Sequence, residues 1–578
     1  MYDDIIKKIP INESVFKKSM ELGYTELQSA IIGCKISDDQ VVDKTFNPRL
    51  SDIPDYKTMG DIVKSAEIIN KHIKNVSRIA VVVDYDSDGI SSAAVIYRFF
   101  KNVFKCDMSN IIFIINRREN GNGIGPKLLN TIMLENEREH IDLVITADHG
   151  SANGISIRKM LDLNIDVVVT DHHIVPEENN AHIATAFVNP QKDEDDTFKY
   201  ISGCAVAYFL MVTIKDLYNY SDDVNEVIET LPIVAISTIG DAMQMWNVIN
   251  RAIVVAGLKE LNSLRDPLWQ AVKYLLDINI LMDEETIGFN IVPAINAASR
   301  MGEPTAAFNF YISGEYRDAI VTFERLLEIN DNRKKMQKHL IRNSILQCID
   351  VEKDSAIVIV LTQGLGLNGI VSSNIGERFN KPIVTFVKEK DGFHGSGRGI
   401  NPNFNLHLAF TNINNKDDSI FIKFGGHKGA AGCTVNLDKI NDFKRLFLEE
   451  AKEQLANSVT VKQHNVIGTI RDDDLSISIM NELKTLSPFG MGFEKVYFVG
   501  VFTLHKVIYI GRDSEHVNLK FLLSNGNIVD CFIFNSSDKF DHDLLVVGNK
   551  LKIVYRPVIN TFRGNVEFRL ELAYLTEF

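Results

Sequence analysis

Three aspartates at alternate positions, Asp84, Asp86 and Asp88, follow directly on the apolar run Val81-Val82-Val83. Carboxylates this close repel one another unless cations neutralise them. Two further short apolar runs end in the same way. Leu143–Ala147 leads into Asp148-His149-Gly150, and Asp166–Thr170 leads into Asp171-His172-His173. A fourth run, residues 233–239, leads into Gly240-Asp241. Taken singly, an Asp after a strand is a helix cap or turn residue, and a His pair is a surface or core feature. Four such endings together describe a metal site. Hard carboxylates with one or two imidazoles suit Mn²⁺ or Mg²⁺ better than zinc. The six cysteines form no CxxC pair, so no zinc finger or redox motif is visible. The ligands suffice for two ions roughly 3.5–4 Å apart, the geometry for in-line attack on a phosphodiester.

Such ligands need a scaffold that brings the run endings together. Short β-branched runs at 79–83, 111–115, 143–147, 166–170 and 233–239 alternate with helical stretches. Continuous apolar strands separated by helices predict a parallel sheet covered on both faces. Ligands then gather beyond the carboxyl ends of its strands. Gly89 lets the backbone turn into a helix expected over 91–104. Farther on, Ile320, Phe323, Leu327, Met336, Leu340 and Ser344 recur at helical spacing, which predicts a long connecting helix. A second α/β pattern runs over 356–451, with strands expected at 356–361 and 383–387. The last segment holds five alternating runs, at 495–510, 516–523, 528–534, 551–558 and 566–572. Turn signals at Asn525-Gly526 and Arg563-Gly564-Asn565 punctuate them. That spacing predicts a small β-barrel of the OB-fold kind. The expected architecture is therefore α/β: a parallel-sheet domain (76–314), a connecting helix (315–350), a smaller α/β domain (351–455) and a C-terminal β-barrel (456–578). A helical lead-in (1–75) precedes them.

Composition is compatible with this plan. The 578 residues suggest three or four domains. With 45% apolar and 24% charged residues, the chain is neither disordered, collagen-like nor a disulfide scaffold. No apolar run reaches the ~18 residues of a membrane span. Residues 1–10 carry Asp3, Asp4, Lys7 and Lys8, so no signal peptide is expected. Scattered cysteines fit a cytoplasmic setting. The net charge of −14 means that any nucleic-acid surface must be a local basic groove or must meet phosphates through metal ions.

The motifs resemble those of the DHH/DHHA1 phosphoesterase superfamily and, within it, the RecJ-like single-stranded-DNA-specific exonucleases. The resemblance is carried by Asp84-Tyr85-Asp86-Ser87-Asp88-Gly89, Asp171-His172-His173, Asn296-Ala297-Ala298-Ser299-Arg300, Gly395-Ser396-Gly397-Arg398, Gly425-Gly426-His427-Lys428-Gly429 and Leu486-Ser487-Pro488-Phe489-Gly490. His149 stands where the family more often has Asn, and Asn122 where it has Tyr. The resemblance implies two divalent ions, Mn²⁺ favoured and Mg²⁺ possible, with an activated water as nucleophile. Asp86 and Asp88 would each hold one ion with Asp84 beside them, Asp148 would bridge, and His172 and Asp241 would complete the second site. Asp171 would orient a histidine, and His173 would face the scissile phosphate as donor or general acid.

The remaining site residues concern the strand. In the family, Arg117, Ser396 and Arg398 would form a 5′-phosphate pocket that sets 5′→3′ polarity. A glycine-rich run at 395–399 can bring backbone N–H groups to a phosphate, and an Arg adds a forked cation. Asn296 and Arg300 would contact backbone phosphates, although a plain ion-pair role for Arg300 stays open. His427 would touch a phosphate or cap the cleft. In the barrel, Lys506, Arg512, Lys520, Phe521, Lys550, Lys552, Tyr555, Arg556, Phe562 and Arg563 mix cations with aromatics, as single-strand binders do; core aromatics are the alternative. The implied partner is single-stranded DNA, with a single-strand-binding protein or helicase beside it and a monomeric chain. Two rival readings are a small-substrate phosphodiesterase acting on nano-oligonucleotides or cyclic dinucleotides, and a non-catalytic single-strand-binding replication scaffold.

Overall fold

The computed structural model describes residues 5–221, 223–348, 354–456, 463–511, 516–533, 542–562 and 565–578, with the side chains of 561–566 left aside. Arg512, Arg563 and the Phe562 side chain lie outside the described residues.

The site-bearing sheet has five parallel strands in the order Ile111–Ile115, Ile79–Val83, Leu143–Ala147, Asp166–Thr170 and Ala186–Val188. Its central strands are buried along their length. Side chains alternate between two cores: Val81 and Val83 point into one, Ala80 and Val82 into the other. Register matters most here. Val83 pairs with Ile115 and with Ala147, and Ala147 pairs with Thr170. The strands therefore end level, and the residues that follow leave from one line.

One expected strand is corrected. Residues 233–239 lie in an α-helix, Leu231–Gly240, and the fifth strand is the three-residue Ala186–Val188. The helix is buried from Leu231 to Thr238. A helix enclosed on all sides is apolar all round, so its sequence shows no amphipathic period and imitates a buried strand. Pro232 in its first turn is the local signal for a helix start.

The helix Tyr316–Leu346 runs for 31 residues, about 46 Å. Its first half places Ala319, Phe323 and Leu326 in a core of the parallel-sheet part, and Leu340 reaches a separate core built with Ile357, Ile359 and Val371. Beyond it, a five-stranded sheet has the order Phe421–Gly426, Ala430–Val435, Gly392–Arg398, Ile383–Glu389 and Ile357–Leu361, parallel only in its last pair. The C-terminal strands close into a barrel: Phe498–Ile510, His516–Leu522, Ile528–Ile533, Asn565–Glu577 and Lys550–Phe562.

The lead-in packs against the far end of the chain. Strand Ile6–Lys8 pairs in parallel with His464–Val466. Val15, Ile31 and Ile32 share a core with Phe493, Phe502 and Leu551. Arg251, fully buried, bolts this junction to the helix Val248–Ser263. It donates to the carbonyls of Thr45 (2.6 Å), Met245 (3.4 Å), Leu486 (2.9 Å), Ser487 (3.1 Å) and Pro488 (2.9 Å). Its guanidinium lies 4.8 Å and 5.1 Å from the rings of Phe46 and Phe493. Among the described residues no helix is long and apolar enough to cross a membrane.

Candidate metal centre

The level strand ends place Asp84, Asp148 and Asp171 side by side. Asp84 is buried directly after its strand. Asp86 caps the helix Ser87–Arg98: its Oδ1 accepts from the backbone N–H of Asp88 (3.0 Å) and Gly89 (3.2 Å). That helix starts four residues earlier than expected because the acidic loop is itself the cap. A Cβ on Gly89 would stand 2.4 Å from the Asp84 carbonyl oxygen, so only glycine lets the helix begin there. Asp88 points at the start of another helix, Gly203–Tyr218. Its oxygens accept from Gly203 N (2.7 Å), Cys204 N (2.8 Å) and the Ser237 hydroxyl. A helix N-terminus favours a carboxylate.

Asp148 is buried and takes left-handed backbone, φ 63°. Asp171 is the organiser. Its Oδ1 accepts from the N–H groups of His172 (2.8 Å) and His173 (3.1 Å) and from His173 Nδ1 (2.8 Å), and its Oδ2 accepts from Ser151 N (2.9 Å). These bonds hold Asp171 far below the usual carboxylate range against the cost of burial. In return they raise His173 to about 9.

His172 Nδ1 donates to the Ile201 carbonyl at 3.0 Å. A carbonyl only accepts, so the proton sits on Nδ1 and the Nε2 lone pair is left free. That lone pair faces Asp148 Oδ1 (3.2 Å), Asp88 Oδ2 (3.5 Å) and Asp241 Oδ2 (3.5 Å). Asp241 arrives from the C-terminal cap of the Leu231–Gly240 helix, not from a strand. A helix C-terminus disfavours an anion, so this carboxylate is held by what it faces.

The cluster cannot satisfy itself. Asp84 Oδ1, Asp148 Oδ1 and His172 Nε2 are buried without a hydrogen-bond partner. Burial, then the surrounding carboxylates, pushes Asp84, Asp148 and Asp241 above the usual range. Three groups of donor atoms lie within 4.8 Å of one another: Asp84, Asp86 and Asp148; Asp88, His172 and Asp241; Asp148, His172 and His173. Hard oxygens with one oriented imidazole fit divalent cations such as Mn²⁺ or Mg²⁺. His149, in contrast, is used by the fold. It is buried, and its Nε2 donates to the Val82 carbonyl at 3.0 Å.

The residues expected to meet the strand fall into separate places. Asn296 accepts the Ser87 N–H (3.0 Å), steadying the acidic loop. Arg300 donates to the Gly366 carbonyl (3.0 Å), linking the two α/β parts; no carboxylate pairs with it among the described residues. Ser396 and Arg398 lie together, Arg398 Nη1 to Ser396 Oγ at 3.2 Å, over Gly369 in the first turn of the helix Asn368–Phe379. Arg117 is largely exposed, 3.9 Å from Glu119. His427 sits at the exposed tip between strands Phe421–Gly426 and Ala430–Val435. In the barrel, Phe521 and Tyr555 are core residues, while Lys520 pairs with Asp530 (2.7 Å) and Arg556 with Glu571 (2.7 Å). Sequence reasoning passed over Arg118, next to Arg117. It is half-buried, 4.4 Å over the Tyr85 ring, and donates through Nε to Ser299 Oγ at 2.9 Å.

Three family descriptions match the chain: the DHH family, N-terminal domain, over residues 78–238; the DHHA1 domain, over 360–453; and the RecJ OB domain, over 468–574. The single-stranded-DNA-specific exonuclease RecJ of Salmonella typhimurium is 26% identical over 535 residues, spanning 88% of this chain and 89% of that protein. Its Bacillus subtilis counterpart is 28% identical over 522 residues, spanning 89% of this chain and 63% of the other. The crystal structure of RecJ in complex with Mn²⁺ from Thermus thermophilus has the same fold: TM-score 0.80 at 20% identity, covering 100% of this chain and 80% of that one.

Proposed function

On its DHH, DHHA1 and RecJ OB domains the chain is RecJ-like, and we propose that it is a metal-dependent exonuclease that hydrolyses single-stranded DNA 5′→3′ to 5′-mononucleotides, in DNA repair and recombination. The observation that carries this reading is the buried His172 Nε2 lone pair facing three carboxylates, an arrangement that divalent cations would complete.

In this reading Asp84, Asp86 and Asp148 would hold one ion, and Asp88, His172 and Asp241 another. When bound, such ions lower the pKa of water and neutralise charge developing on the phosphate. The chain's own groups do the rest. The Ile201 carbonyl and the Gly203–Tyr218 helix fix His172 and Asp88 in place. His173, cationic through Asp171, donates to the scissile phosphate or to the departing 3′ oxygen. Ser396 and Arg398, set over a helix N-terminus, take the 5′-phosphate together with Arg117, which makes the cut start at the 5′ end. His427 caps this cleft. The division of labour follows the expected boundaries: catalysis within 76–314, the bridge at 315–350, end recognition within 351–455, and strand binding within 456–578. A monomer in the cytoplasm, working beside a single-strand-binding protein or helicase, completes the proposal.

Digestion of a long single strand in Mn²⁺, labelled at either end, with and without a 5′-phosphate, tests it. Mononucleotides from the 5′ end, lost with Asp148→Ala, are expected. Cleavage confined to dinucleotides would point to the small-substrate enzyme, and tight binding without cleavage to the scaffold.

A further inference from the structure

We propose that Tyr200 and Trp246 form a base-stacking platform between the metal centre and the C-terminal barrel, which takes one base of the single strand. The inference deepens the exonuclease reading and rests on it.

The two rings come from two segments that each also serve the metal centre. Tyr200 directly precedes Ile201, whose carbonyl holds His172 Nδ1 at 3.0 Å. With consecutive Cα atoms about 3.8 Å apart, the Tyr200 Cα lies within about 10 Å of that imidazole. Trp246 follows Asp241 on the same loop. The two rings meet edge to face, with centroids 5.3 Å apart and planes at 62°. Both keep open surface: Tyr200 is 40% exposed and Trp246 is half-buried. An aromatic pair that only fills a core is covered instead, as Trp269 and Phe310 are.

The pair is also held in place. Asn250, fully buried, donates through Nδ2 to the Tyr200 carbonyl (2.8 Å) and to the Gln244 carbonyl (3.0 Å), which ties the two segments together. Gln244 Oε1 accepts from Trp246 Nε1 at 3.0 Å. The indole N–H is its one polar group, so what the ring has left to offer is its apolar surface. From the barrel side, the Met245 N–H donates to the Met491 carbonyl at 2.7 Å. Gly492, with φ 74°, leaves room for the indole: a Cβ there would stand 2.7 Å from Trp246 Cδ1. This stretch leads into the first barrel strand, Phe498–Ile510, so the rings lie on the way from the metal centre to the barrel. The neighbouring Lys199 is paired with Asp196 at 2.6 Å, so the surface offers rings instead of cations. Such a surface takes a base and not a phosphate. Every base has a π-face, so it takes any base.

The test reads tryptophan emission. The chain has two tryptophans, and Trp269 is fully buried, so quenching by a stacked base reports on Trp246. Oligothymidylate is titrated into the full chain in EDTA over a range of KCl, with the anisotropy of a labelled strand followed beside it. Emission should fall and saturate with the binding curve. In a walk of single abasic residues along the strand, one position should abolish the quench and weaken binding about tenfold. Trp246→Leu should weaken binding by the same factor and become insensitive to that position. Its salt slope should match the wild type, since no phosphate contact is lost. Trp246→Phe should keep most of the affinity. Tyr200→Leu retains the reporter and should lose most of the quench, which keeps the test open if Trp246→Leu does not fold. Emission unchanged at saturating strand, or abasic sensitivity identical in wild type and Trp246→Leu, overturns the platform. Absence of cleavage from the 5′ end in Mn²⁺, with the quench present, overturns the exonuclease reading and leaves the platform as a strand-binding site.

Discussion

Arg251 and the carboxylates around Asp148 are both charges withdrawn from water, and the chain treats them in opposite ways. Arg251 spends its donors on five backbone carbonyls and lies against two aromatic faces. Around Asp148 the reverse holds: like charges converge, and Asp84 Oδ1, Asp148 Oδ1 and His172 Nε2 find no partner. Buried polar groups in folded proteins are almost always satisfied. A buried charge that meets this rule holds the fold, and a convergent set that breaks it is waiting for a ligand.

The contrast breaks most visibly at Asp148. Asp148→Asn should cut hydrolysis by about 10³-fold or more, since several kcal/mol of charge stabilisation go with the ion. The same change should raise the melting temperature in EDTA, because it removes a repelling charge. A lower melting temperature there would show that the cluster is a structural one after all. Arg251→Met should act inversely. It strands carbonyls in the core and should cost roughly 3–5 kcal/mol, read by chemical denaturation. At low temperature its cleavage of a dinucleotide should match the wild type, since Arg251 lies outside the acidic site. Next in size, saturating Mn²⁺ should stabilise the wild type by about 2.7 kcal/mol at a hundredfold excess over Kd. Calorimetry should find that gain intact in Arg251→Met and absent in Asp148→Asn. The smallest effect belongs to Gly203→Ala. The added methyl would lie 2.7 Å from Asp148 Oδ1. Displacing that oxygen should weaken Mn²⁺ binding about tenfold in a titration, with the fold retained.

The acidic site is unusually legible because chemistry constrains it locally. Asp84, Asp148 and Asp171 each follow a buried parallel strand, and a continuous apolar run is the mark of such strands. Asp241 is legible as a residue but not as a position. Its helix is buried on every side, and an all-apolar run does not distinguish helix from strand. Arg251 is illegible for a different reason. Its partners at Thr45 and Pro488 lie 206 and 237 residues away, and nothing near Arg251 marks them. Arg117 and Arg118 show the limit at finer grain. Which of two adjacent arginines turns toward the centre depends on the Tyr85 ring and Ser299, and neither is implied by the local string. The barrel's aromatics are legible as barrel residues, but Phe521 and Tyr555 fill its core instead of facing a strand.

The pairing of Ile6–Lys8 with His464–Val466 also has a meaning in time. Contacts between the lead-in and the barrel side, such as Gln28 with Glu482 and Lys35 with Glu494, span 454 and 459 residues. At about 5–20 residues per second of synthesis, the lead-in waits roughly 20–90 s for its partner to emerge. Through that interval Val15, Ile31 and Ile32, which end fully covered, face the solvent. The ribosome thus releases an interrupted clasp, sticky at one side until the last fifth of the message is read. A slow stretch of codons late in the gene would lengthen that exposure, and chaperone occupancy on nascent chains would follow it.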